Sequence, residues 1–482
     1  MRVVELFAGV GGFRLGFERV NESHQQSIFN VIWANQWEPS TKKQHAAEIY
    51  AHRWNLEKPE GDSLIFKNQE GEILSNQDIN LVESSSIPEH DILCGGFPCQ
   101  DYSVARTISG ERGIKGEKGK LWAEIRRIID GQKSKPKIIF LENVPRILNS
   151  PAKFRGLNFS IIVKDLLDLD YDVEWKVINA ADYGMPQKRK RTFILGYHKS
   201  LVSNLSILSS LKTREEMSQW LFSPDNSGIL SSSFPSSGKL PPTKSIFPNP
   251  VDYNWNDKKS PFLNTGYSWK DDKGKLWLWT AKSKPEYSGE YGTIRDIMET
   301  NHDPDYEISD KESLRKYRYI KGEQKEFRIR KIDSDFAKSI ILNDGRNIWE
   351  IYQECTKSYD SNTWKKYYDI LLDCKEKGFA YSYAAGAMSF PDSLDKPSRT
   401  IVTAEVGKSV SRMRHVIEYK KGKFRRLMPI ELERLNQFPD DWTNIDDISD
   451  SKRGFLMGNA LVIGIVEGIA NSLFGKIGNR GE

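Results

Sequence analysis

The sequence is poor in cysteine, in long apolar runs and in net charge, and each shortage narrows its possible functions. Cysteine occurs only four times in 482 residues, at positions 94, 99, 355 and 374. The sequence has no CxxC pair and no close cysteine–histidine pair of the kind that binds zinc, so we expect no metal site. So few cysteines favour a reducing, cytoplasmic location over a secreted one.

Apolar runs such as 138–141 and 460–466 fall far short of the roughly 18 residues that a membrane span requires. Residues 3–7 lead directly into a glycine-rich stretch, which is typical of a strand and turn rather than of a signal peptide. Lysine and arginine number 71 against 66 acidic residues, and the net charge of +5 is too small to identify a partner. We therefore expect a soluble protein of two or three domains, at roughly 150 residues per domain.

Short β-branched runs alternate with helical patterns over residues 1–196, which predicts an α/β domain with a parallel sheet and crossover helices. The predicted strands are 3–7, 31–34, 91–94, 138–141, 173–179 and 192–196. The predicted helices are 13–20, 41–54, 121–130, 159–169 and, near the C-terminus, 455–474. In open α/β sheets ligands bind beyond the carboxyl ends of the strands, so we expect the functional residues there. From 197 to 395, serine- and proline-rich stretches indicate an irregular second domain.

Gly9, Gly11 and Gly12 follow the first predicted strand and precede a helix, so a ligand can approach the backbone at the helix N-terminus. Their spacing is neither a dinucleotide fingerprint nor a P-loop, since no Gly-Lys-Ser/Thr follows. A nucleoside ligand without a phosphate tail fits this turn better. A tight strand-to-helix connection without any ligand is the alternative.

Two further strand ends carry candidate catalytic residues. Cys99 follows the third predicted strand in the sequence Gly-Gly-Phe-Pro-Cys-Gln, where Pro98 restricts the backbone and can aim the thiol, as a nucleophile requires. Cys94, inside the strand, is interpreted as an inert buried thiol. Glu142 follows the fourth predicted strand and can donate a proton if burial raises its pKa, although taken alone it fits a solvated loop acid or a helix N-cap partner better.

The sequence also contains concentrated basic runs. Arg189 and Arg191 belong to Gln-Lys-Arg-Lys-Arg, and alternation places both on one face, which meets either a phosphate or base, or solvent. The runs 315–331 and 408–426 each hold eight basic residues, against two acids and one acid. Such runs are typical of nucleic-acid surfaces when aromatic residues interleave them, as in the first, but also of solvated faces.

Taken together, these motifs resemble the DNA (cytosine-5) methyltransferases. Phe-Ala-Gly-Val-Gly-Gly-Phe, Gly-Phe-Pro-Cys-Gln, Glu-Asn-Val, Gln-Lys-Arg-Lys-Arg and Gly-Asn-Ala occur in the expected order, and the chain resembles the bacterial type II restriction-modification members over 1–196 and 395–482. The resemblance implies an α/β fold with a Rossmann-like sheet that binds S-adenosylmethionine, and a second, smaller irregular domain. It assigns 1–196 plus 448–482 to catalysis and 197–447 to target recognition.

The resemblance implies a role for each candidate catalytic residue. Cys99 would attack carbon 6 of cytosine and so activate carbon 5 for methylation. Glu142 would engage ring nitrogen 3, Arg191 the carbonyl at position 2, and Arg189 would organise the pocket. Because a base inside a duplex cannot reach these groups, the target cytosine would be flipped out.

The resemblance also implies a pocket for S-adenosylmethionine, in which Phe7 stacks on the adenine and Trp37 contacts the adenosine. The residues implied to line it are Phe7, Ala8, Gly9, Val10, Gly11, Gly12, Gln36, Trp37, Asp78, Ile79, Pro98, Leu121, Asn459 and Ala460. Gln36 stands where the family usually has an acid for the ribose, which leaves Gln36 or Glu38 for that contact, and Ala460 stands where serine is common.

The implied partner is double-stranded DNA, with no membrane contact, a monomeric chain and a separately encoded restriction endonuclease. The family-like blocks that flank 408–426 favour DNA contact by that run. An RNA cytosine-5 methyltransferase and a non-catalytic DNA-binding protein stay open as alternatives. The long insertion after residue 196 argues against the first, and the joint presence of Cys99, Glu142 and Arg191 argues against the second.

Overall fold

The computed structural model describes residues 1–39, 41–60, 64–97, 120–202, 213–223, 228–256, 259–322, 329–382 and 388–477. Up to residue 202 its elements are β1 (Arg2–Leu6), α1 (Gly12–His24), β2 (Asn30–Asn35), α2 (His45–Arg53), β3 (Ile65–Lys67), β4 (Ile73–Ser75), β5 (Ile92–Gly96), α3 (Lys120–Gly131), β6 (Ile138–Asn143), α4 (Leu157–Asp168), β7 (Tyr171–Asn179), β8 (Lys190–His198) and α5 (Lys199–Val202). Short 3-10 helices lie at Ile79–Leu81, Ser84–Ser86, Pro145–Asn149 and Ala180–Tyr183. The six predicted strands are all present, with ends shifted by at most two residues.

The later elements are shorter and more mixed. They are α6 (Arg214–Phe222), α7 (Ile229–Ser233), β9 (Ser236–Gly238), β10 (Thr243–Ile246), β11 (Thr265–Lys270), β12 (Leu276–Ala281), β13 (Ser283–Pro285), α8 (Ile294–Ile297), β14 (Glu307–Ile308), α9 (Lys311–Gly322), β15 (Ile329–Ile332), α10 (Ser334–Ser339), α11 (Ile348–Ser358), α12 (Ser361–Lys366), α13 (Tyr368–Glu376), β16 (Ala380–Ser382), β17 (Ile417–Lys420), β18 (Lys423–Arg425), α14 (Pro429–Leu435), α15 (Asp450–Asn459) and α16 (Ile463–Ile477). A 3-10 helix precedes β14 at Pro304–Tyr306.

The central sheet has eleven strands in the order β10-β12-β11-β7-β8-β6-β5-β1-β2-β4-β3. Its centre is parallel, since β1 pairs in parallel with β2 and β5, and β5 with β6. The prediction of parallel pairing is wrong for the last two predicted strands, because β8 runs antiparallel to both β6 and β7. Only residues 180–189 connect β7 to β8, and a parallel pair requires a crossover of roughly a dozen residues or more. The predicted α/β class is confirmed.

Alternate side chains of β6 enter two different hydrophobic cores. Ile138 and Phe140 pack with α1 and α16 on one face, whereas Ile139 and Leu141 pack with α3 and α4 on the other. All four are at most 1% exposed, and burial of each such side chain contributes roughly 1.5–3 kcal/mol. Because both faces of the parallel strands are covered, a ligand is expected at their carboxyl edge.

The sheet continues past residue 197, where the sequence changes in texture. β11 pairs antiparallel with β7, β12 with β11, and β10 with β12. Leu278 and Trp279 of β12 enter the two cores that flank the parallel strands. We call β10, β11 and β12 the sheet extension. The division of function at residues 197 and 447 stays a prediction, but the chain on either side of 197 shares one sheet.

The helices α9 to α13 surround a separate hydrophobic core. Ile351, Leu371 and Cys374 lie at its centre and are at most 1% exposed. Beside it, β14, β18 and β17 form a three-stranded sheet. This part of the predicted irregular domain is therefore an ordered helical unit.

The C-terminal segment returns to the central sheet as two helices, not as the single helix predicted over 455–474. α15 ends at Asn459, and Ala460 is extended with φ −63° and ψ 158°. α16 then packs against α1 with Val466 fully buried. An 18-residue window within Asp450–Ile477 has a mean hydropathy of 1.5, so this stretch is long and apolar enough to cross a membrane by length and composition alone. Core helices of soluble proteins meet the same criteria, and in α16 Ile465, Val466 and Ile469 are buried in the core on one face of the central sheet.

Candidate active site and cofactor pocket

A cleft of about 650 Å³ opens at the carboxyl edge of β1, β2 and β5. Its lining contains twelve of the residues predicted to hold the cofactor: Phe7, Ala8, Gly9, Val10, Gly12, Gln36, Trp37, Asp78, Ile79, Leu121, Asn459 and Ala460. Gly11 does not line it, and Pro98 lies outside the described residues. The volume is within the roughly 300–1,000 Å³ typical of small-molecule sites.

The turn between β1 and α1 exposes backbone to this cleft. Phe7, Gly9 and Gly11 have left-handed φ values of 55°, 57° and 86°. A Cβ at Gly11 would lie 2.1 Å from the Trp54 ring, whereas one at Gly9 would meet nothing within 4 Å. Gly11 therefore lets the turn pack closely, while the open space beside Gly9 is available to a ligand. No side chain caps the N-terminus of α1, which leaves its first amide groups for a ligand or water.

Gln36 and Glu38, the two candidates for the ribose contact, both line the cleft but have different partners. The Gly9 amide donates to Gln36 Oε1 at 2.7 Å. Glu38 Oε2 is paired with Lys452 Nζ at 3.1 Å and accepts from Thr41 Oγ1 at 3.3 Å. Gln36 is thus fixed by the glycine turn, and the charge of Glu38 is partly neutralised by α15.

The wall near Asp78 is held by hydrogen bonds. Asp78 caps the 3-10 helix Ile79–Leu81 and accepts from the Asn80 amide at 3.0 Å. Arg127 of α3 donates to the carbonyls of Ile79 at 3.0 Å and Val82 at 2.9 Å. The helix that carries Leu121 is therefore tied to the turn that carries Asp78 and Ile79.

Glu142 and Arg191 form a close ion pair at the edge of the sheet. Arg191 Nε lies 2.7 Å from Glu142 Oε1, and the two side chains are 17% and 13% exposed. Neighbouring antiparallel strands bring them together, since Asn143 of β6 is paired with Thr192 of β8. Glu142 also lines the cofactor cleft. Here a carboxylate and a guanidinium can contact one ligand side by side.

The loop that leads to Cys99 begins beside this pair. Asn143 Nδ2 donates to the Phe97 carbonyl at 2.9 Å. A Cβ at Gly96 would lie 3.1 Å from Glu142 Oε2, so only a small residue fits there without displacing the carboxylate. Cys99 itself, with the rest of 98–119, lies outside the described residues. Cys94 is fully buried in β5, and burial raises its pKa well above that of an ordinary thiol.

Arg189 is buried beneath the ion pair and reaches the C-terminal segment. It is 2% exposed, and its Nη2 donates to the Gly458 carbonyl at 3.1 Å. Burial, with repulsion from Arg191, lowers its pKa to about 9. Its Nε and Nη1 have no hydrogen-bond partner among the described atoms. Arg189 therefore joins the start of β8 to the segment that carries Asn459.

The two long basic runs contain members that cannot contact DNA as predicted, because they are internal. Lys321 is buried with its Nζ 2.6 Å from Asp392, and Arg425 is buried 2.6 Å from Glu431. Residues 323–328 of the first run lie outside the described residues. Neither a DNA surface nor a solvated face fits Lys321 and Arg425, since both are buried and the buried acids Asp392 and Glu431 neutralise them.

Sequence reasoning missed part of the site. The cleft residues that the sequence did not single out are Phe13, Asn35, Pro39, Thr41, Ala46, Asn80, Gly96, Phe455, Leu456 and Leu461. Most of them adjoin a motif residue, which is the signal that could have identified them. Gln187, the first residue of the Gln-Lys-Arg-Lys-Arg motif, is fully buried, donates to Asn436 Oδ1 at 2.8 Å and accepts from the Ile401 amide at 3.2 Å.

Comparison with known proteins identifies the family of the chain. The family described as C-5 cytosine-specific DNA methylase matches residues 1–475. The chain is 36% identical to the type II methyltransferase M.Sau3AI of Staphylococcus aureus, over 98% of this chain and 95% of that protein. It is 34% identical to M.HhaI of Haemophilus parahaemolyticus, over 42% of this chain and 50% of that protein.

A crystal structure of the Dnmt2 methyltransferase of S. pombe shares the fold, with a TM-score of 0.52 at 12% identity, over 98% of this chain and 99% of that one. Two findings establish the family of the chain. The family matches nearly the whole chain, and the similarity to M.Sau3AI extends over nearly the full length of both proteins. The chain belongs to the C-5 cytosine-specific DNA methylase family and is a DNA (cytosine-5-)-methyltransferase of the type II restriction-modification class.

Proposed function

We propose that this enzyme methylates carbon 5 of one cytosine within a specific double-stranded DNA sequence, using S-adenosylmethionine, through a transient covalent bond between Cys99 and a flipped-out base. The single observation that carries the proposal is the Glu142–Arg191 pair, which lies beside both the cofactor cleft and the start of the Cys99 loop. A cytosine that binds between the Glu142–Arg191 pair and the Cys99 loop would have its carbons 5 and 6 next to the cofactor.

Each catalytic residue has a distinct role in the proposed reaction. The Cys99 thiolate forms a bond to carbon 6, and the electron pair moves toward carbon 5. Glu142 engages ring nitrogen 3 and supports its protonation, while Arg191 donates to the carbonyl oxygen at position 2, so negative charge does not accumulate on the ring. After methylation, loss of the carbon 5 proton allows the carbon–sulfur bond to break and returns the thiolate.

Arg189 acts as a positioning residue in this proposal. Its guanidinium lies beneath Glu142 and Arg191 and holds the Gly458 carbonyl. It therefore holds the Glu142–Arg191 pair and the segment that carries Asn459 in fixed positions relative to each other.

The chemistry of the cleft fits S-adenosylmethionine, which when bound supplies an electrophilic methyl group. Phe7, Trp37 and Ile79 would enclose the adenosine, and Asp78 would accept from the adenine amino group. The methionine portion of the cofactor would lie along the open backbone at Gly9, beside Ala8, Val10 and Gly12. Leu121, Asn459 and Ala460 would complete the pocket. A ligand without phosphates suits this cleft, because no lysine or arginine lines it within the described residues.

We further propose that the enzyme acts as a soluble cytoplasmic monomer and protects host DNA from a separately encoded endonuclease. One chain supplies both the cofactor cleft and the Glu142–Arg191 pair. The name of its relative M.Sau3AI, a type II methyltransferase, supports the restriction-modification context.

Trapping with modified DNA tests the mechanism. Duplex DNA containing 5-fluorocytosine at the target has no proton to lose from carbon 5, so the covalent adduct should persist with wild-type enzyme and cofactor. Bisulfite sequencing of DNA from expressing cells would first identify the target sequence and the modified base. Cys99→Ala should abolish both the adduct and methylation, while S-adenosylmethionine still binds with unchanged affinity.

Cys94→Ala is the matched control, because Cys94 is buried inside β5 and has no part in the proposed reaction. It should still form the adduct. An adduct that persists in Cys99→Ala would refute the assigned nucleophile, and methylation of tRNA but not of duplex DNA would refute the substrate.

A further inference from the structure

A second cleft, of about 1,020 Å³, is lined by six basic side chains, and no acidic side chain lines it among the residues that the structure describes. The basic residues are Arg155, Lys190, Lys239, Lys259, Lys282 and Lys284. All six are exposed. We call this cleft the basic groove. Six positive charges in one cleft create a strong local potential, in contrast to a net charge of only +5 for the whole chain.

The basic groove lies along the same edge of the sheet as the catalytic pair. Lys190 begins β8, next to Arg191, while Thr243 begins β10, and β12 ends at Ala281 just before Lys282. The antiparallel pairings place the starts of β8, β10 and β11 and the end of β12 at the carboxyl edge of β6. The groove therefore lies at the same edge of the sheet as the active site. It extends from β8 across the sheet extension, in the direction away from the cofactor cleft.

The basic side chains of the groove differ from other lysines of the sheet in their partners. Within the described part of the chain, none of its six basic side chains forms an ion pair. At the opposite edge of the same strands, by contrast, Lys270 lies 2.6 Å and Lys199 3.7 Å from Asp170. The lysines at the far edge thus have an internal acidic partner, whereas the basic side chains of the groove are available to an external anion.

We propose that the basic groove binds the phosphate backbone of the DNA duplex that flanks the target cytosine. A site for a small anion would need buried donors that converge on one point. These cations are instead exposed and spread over several strands, which suits a DNA duplex, a long polyanion with one negative charge per roughly 1.7 Å of helix axis. This inference deepens the proposed function and rests on it.

The sheet order sets the reach of the contact. Five strand steps separate β6, which carries Glu142, from β10, and at roughly 4.8 Å per step the groove extends about 24 Å from the catalytic pair. At about 3.4 Å per base pair this corresponds to roughly 7 base pairs. The contact should therefore involve one flank only, up to that distance from the target.

Neutralising the groove tests the proposal. The variant K239Q/K282Q/K284Q alters none of the residues assigned to catalysis or to the cofactor. DNA affinity of the holoenzyme is measured against salt concentration and against flank length, on duplexes that share one recognition site. Wild-type affinity should rise as one flank grows to about 7 base pairs and then level off, and the variant should lose this rise.

The salt dependence gives a second readout. Each lost phosphate contact lowers the log–log slope by about 0.9, so between 50 and 200 mM salt the wild type should lose roughly 40-fold more affinity than the variant. Methylation of long DNA at saturating substrate should keep its wild-type maximal rate.

K67Q/K133Q/K273Q is the matched control, since it removes the same charge from exposed positions outside the groove, one of them in the β11–β12 turn. It should behave as the wild type. Equal length and salt dependence in wild type and groove variant, with methylation intact, would overturn the groove and leave the proposed function standing. Absence of methylation by the wild type would instead overturn the proposed function.

Discussion

Gln36 shows how a single departure from a family pattern can be read in terms of hydrogen bonds. Its side-chain oxygen accepts from the Gly9 amide at 2.7 Å, so the residue supports the glycine turn. The amide nitrogen of Gln36 can only donate to a ribose oxygen, whereas a carboxylate would accept from the ribose hydroxyls. Glu38 is the neighbouring acid, but Lys452 lies 3.1 Å from it.

We expect Gln36→Glu to bind S-adenosylmethionine more tightly. One carboxylate oxygen would keep the Gly9 contact and the other would accept a charge-assisted bond from the ribose, which should lower Kd roughly 3- to 10-fold, or about 1 kcal/mol. Gln36→Ala should raise Kd, because the turn also loses its support. Calorimetric titration with the cofactor measures both. If Gln36→Glu changes nothing and Glu38→Gln weakens binding, Glu38 is the residue that holds the ribose.

At this scale the sequence predicted which residues line the site but not how they are connected. Twelve of the fourteen residues named for the cofactor line the cleft. The contacts that position them join distant parts of the chain, as when Arg189 reaches Gly458 or Lys452 reaches Glu38. No local pattern encodes such pairs, because the geometry that creates them comes from the fold.

Among the elements, β1 and α2 are joined by a buried polar contact. Tyr50 of α2 donates to Glu5 of β1 at 3.1 Å, and both side chains are fully buried. Burial raises the pKa of Glu5 from 4.5 to about 8. The folded protein therefore keeps this proton over a pH range in which the unfolded chain has lost it.

This difference predicts that stability falls as pH rises. Between about pH 4.5 and 8 the folded state binds more protons than the unfolded state at Glu5, so the free energy of unfolding decreases by up to about 1.4 kcal/mol per pH unit from this group. Glu5→Gln removes the dependence and should gain stability relative to the wild type from pH 5 to pH 8, measured by urea unfolding. Glu22→Gln, at an exposed position of α1, should not. Parallel pH profiles for wild type and Glu5→Gln would contradict the assignment.

At the level of elements, periodicity located the strands of 1–196, but pairing direction and helix ends depended on other forces. The connection between β7 and β8 is too short for a crossover, which forces an antiparallel pair. The apolar pattern of 455–474 continues through a break at Ala460, because both helices bury apolar side chains, α15 against α14 and α16 against α1. A hydrophobic pattern indicates which residues are buried. It does not indicate where one helix ends and the next begins, as happens here beside the cleft.

For the whole molecule, the density of charge along the chain was a poor guide to where DNA would bind. The long basic runs contain buried, paired members such as Lys321 and Arg425. The basic groove instead gathers lysines that are scattered over 190–284 in sequence, and only the sheet extension brings them together. The hydrophobic cores are also distinct at this scale. The core of α9 to α13 shares no residue with the two cores of the central sheet.

That separate core predicts that the helical unit α9 to α13 can be destabilised without harming the cofactor site. Leu371 is 1% exposed at its centre, and Leu371→Ala should leave a cavity that costs about 2–5 kcal/mol. Hydrogen exchange of amides in α11 and α13 should accelerate, while β1, β5 and β6 keep their protection and Kd for S-adenosylmethionine is unchanged. If 197–447 recognises the target, sequence-specific DNA affinity should fall.

Ile139→Ala is the matched change in the central sheet, since Ile139 is fully buried in β6. It should accelerate exchange throughout the sheet and weaken cofactor binding, because β6 carries Glu142 at the edge of the cleft. The two variants thus produce opposite patterns if the cores are independent. A loss of protection in β1 and β6 caused by Leu371→Ala would show instead that the helical unit and the sheet unfold together, since cooperative units share their opening free energy.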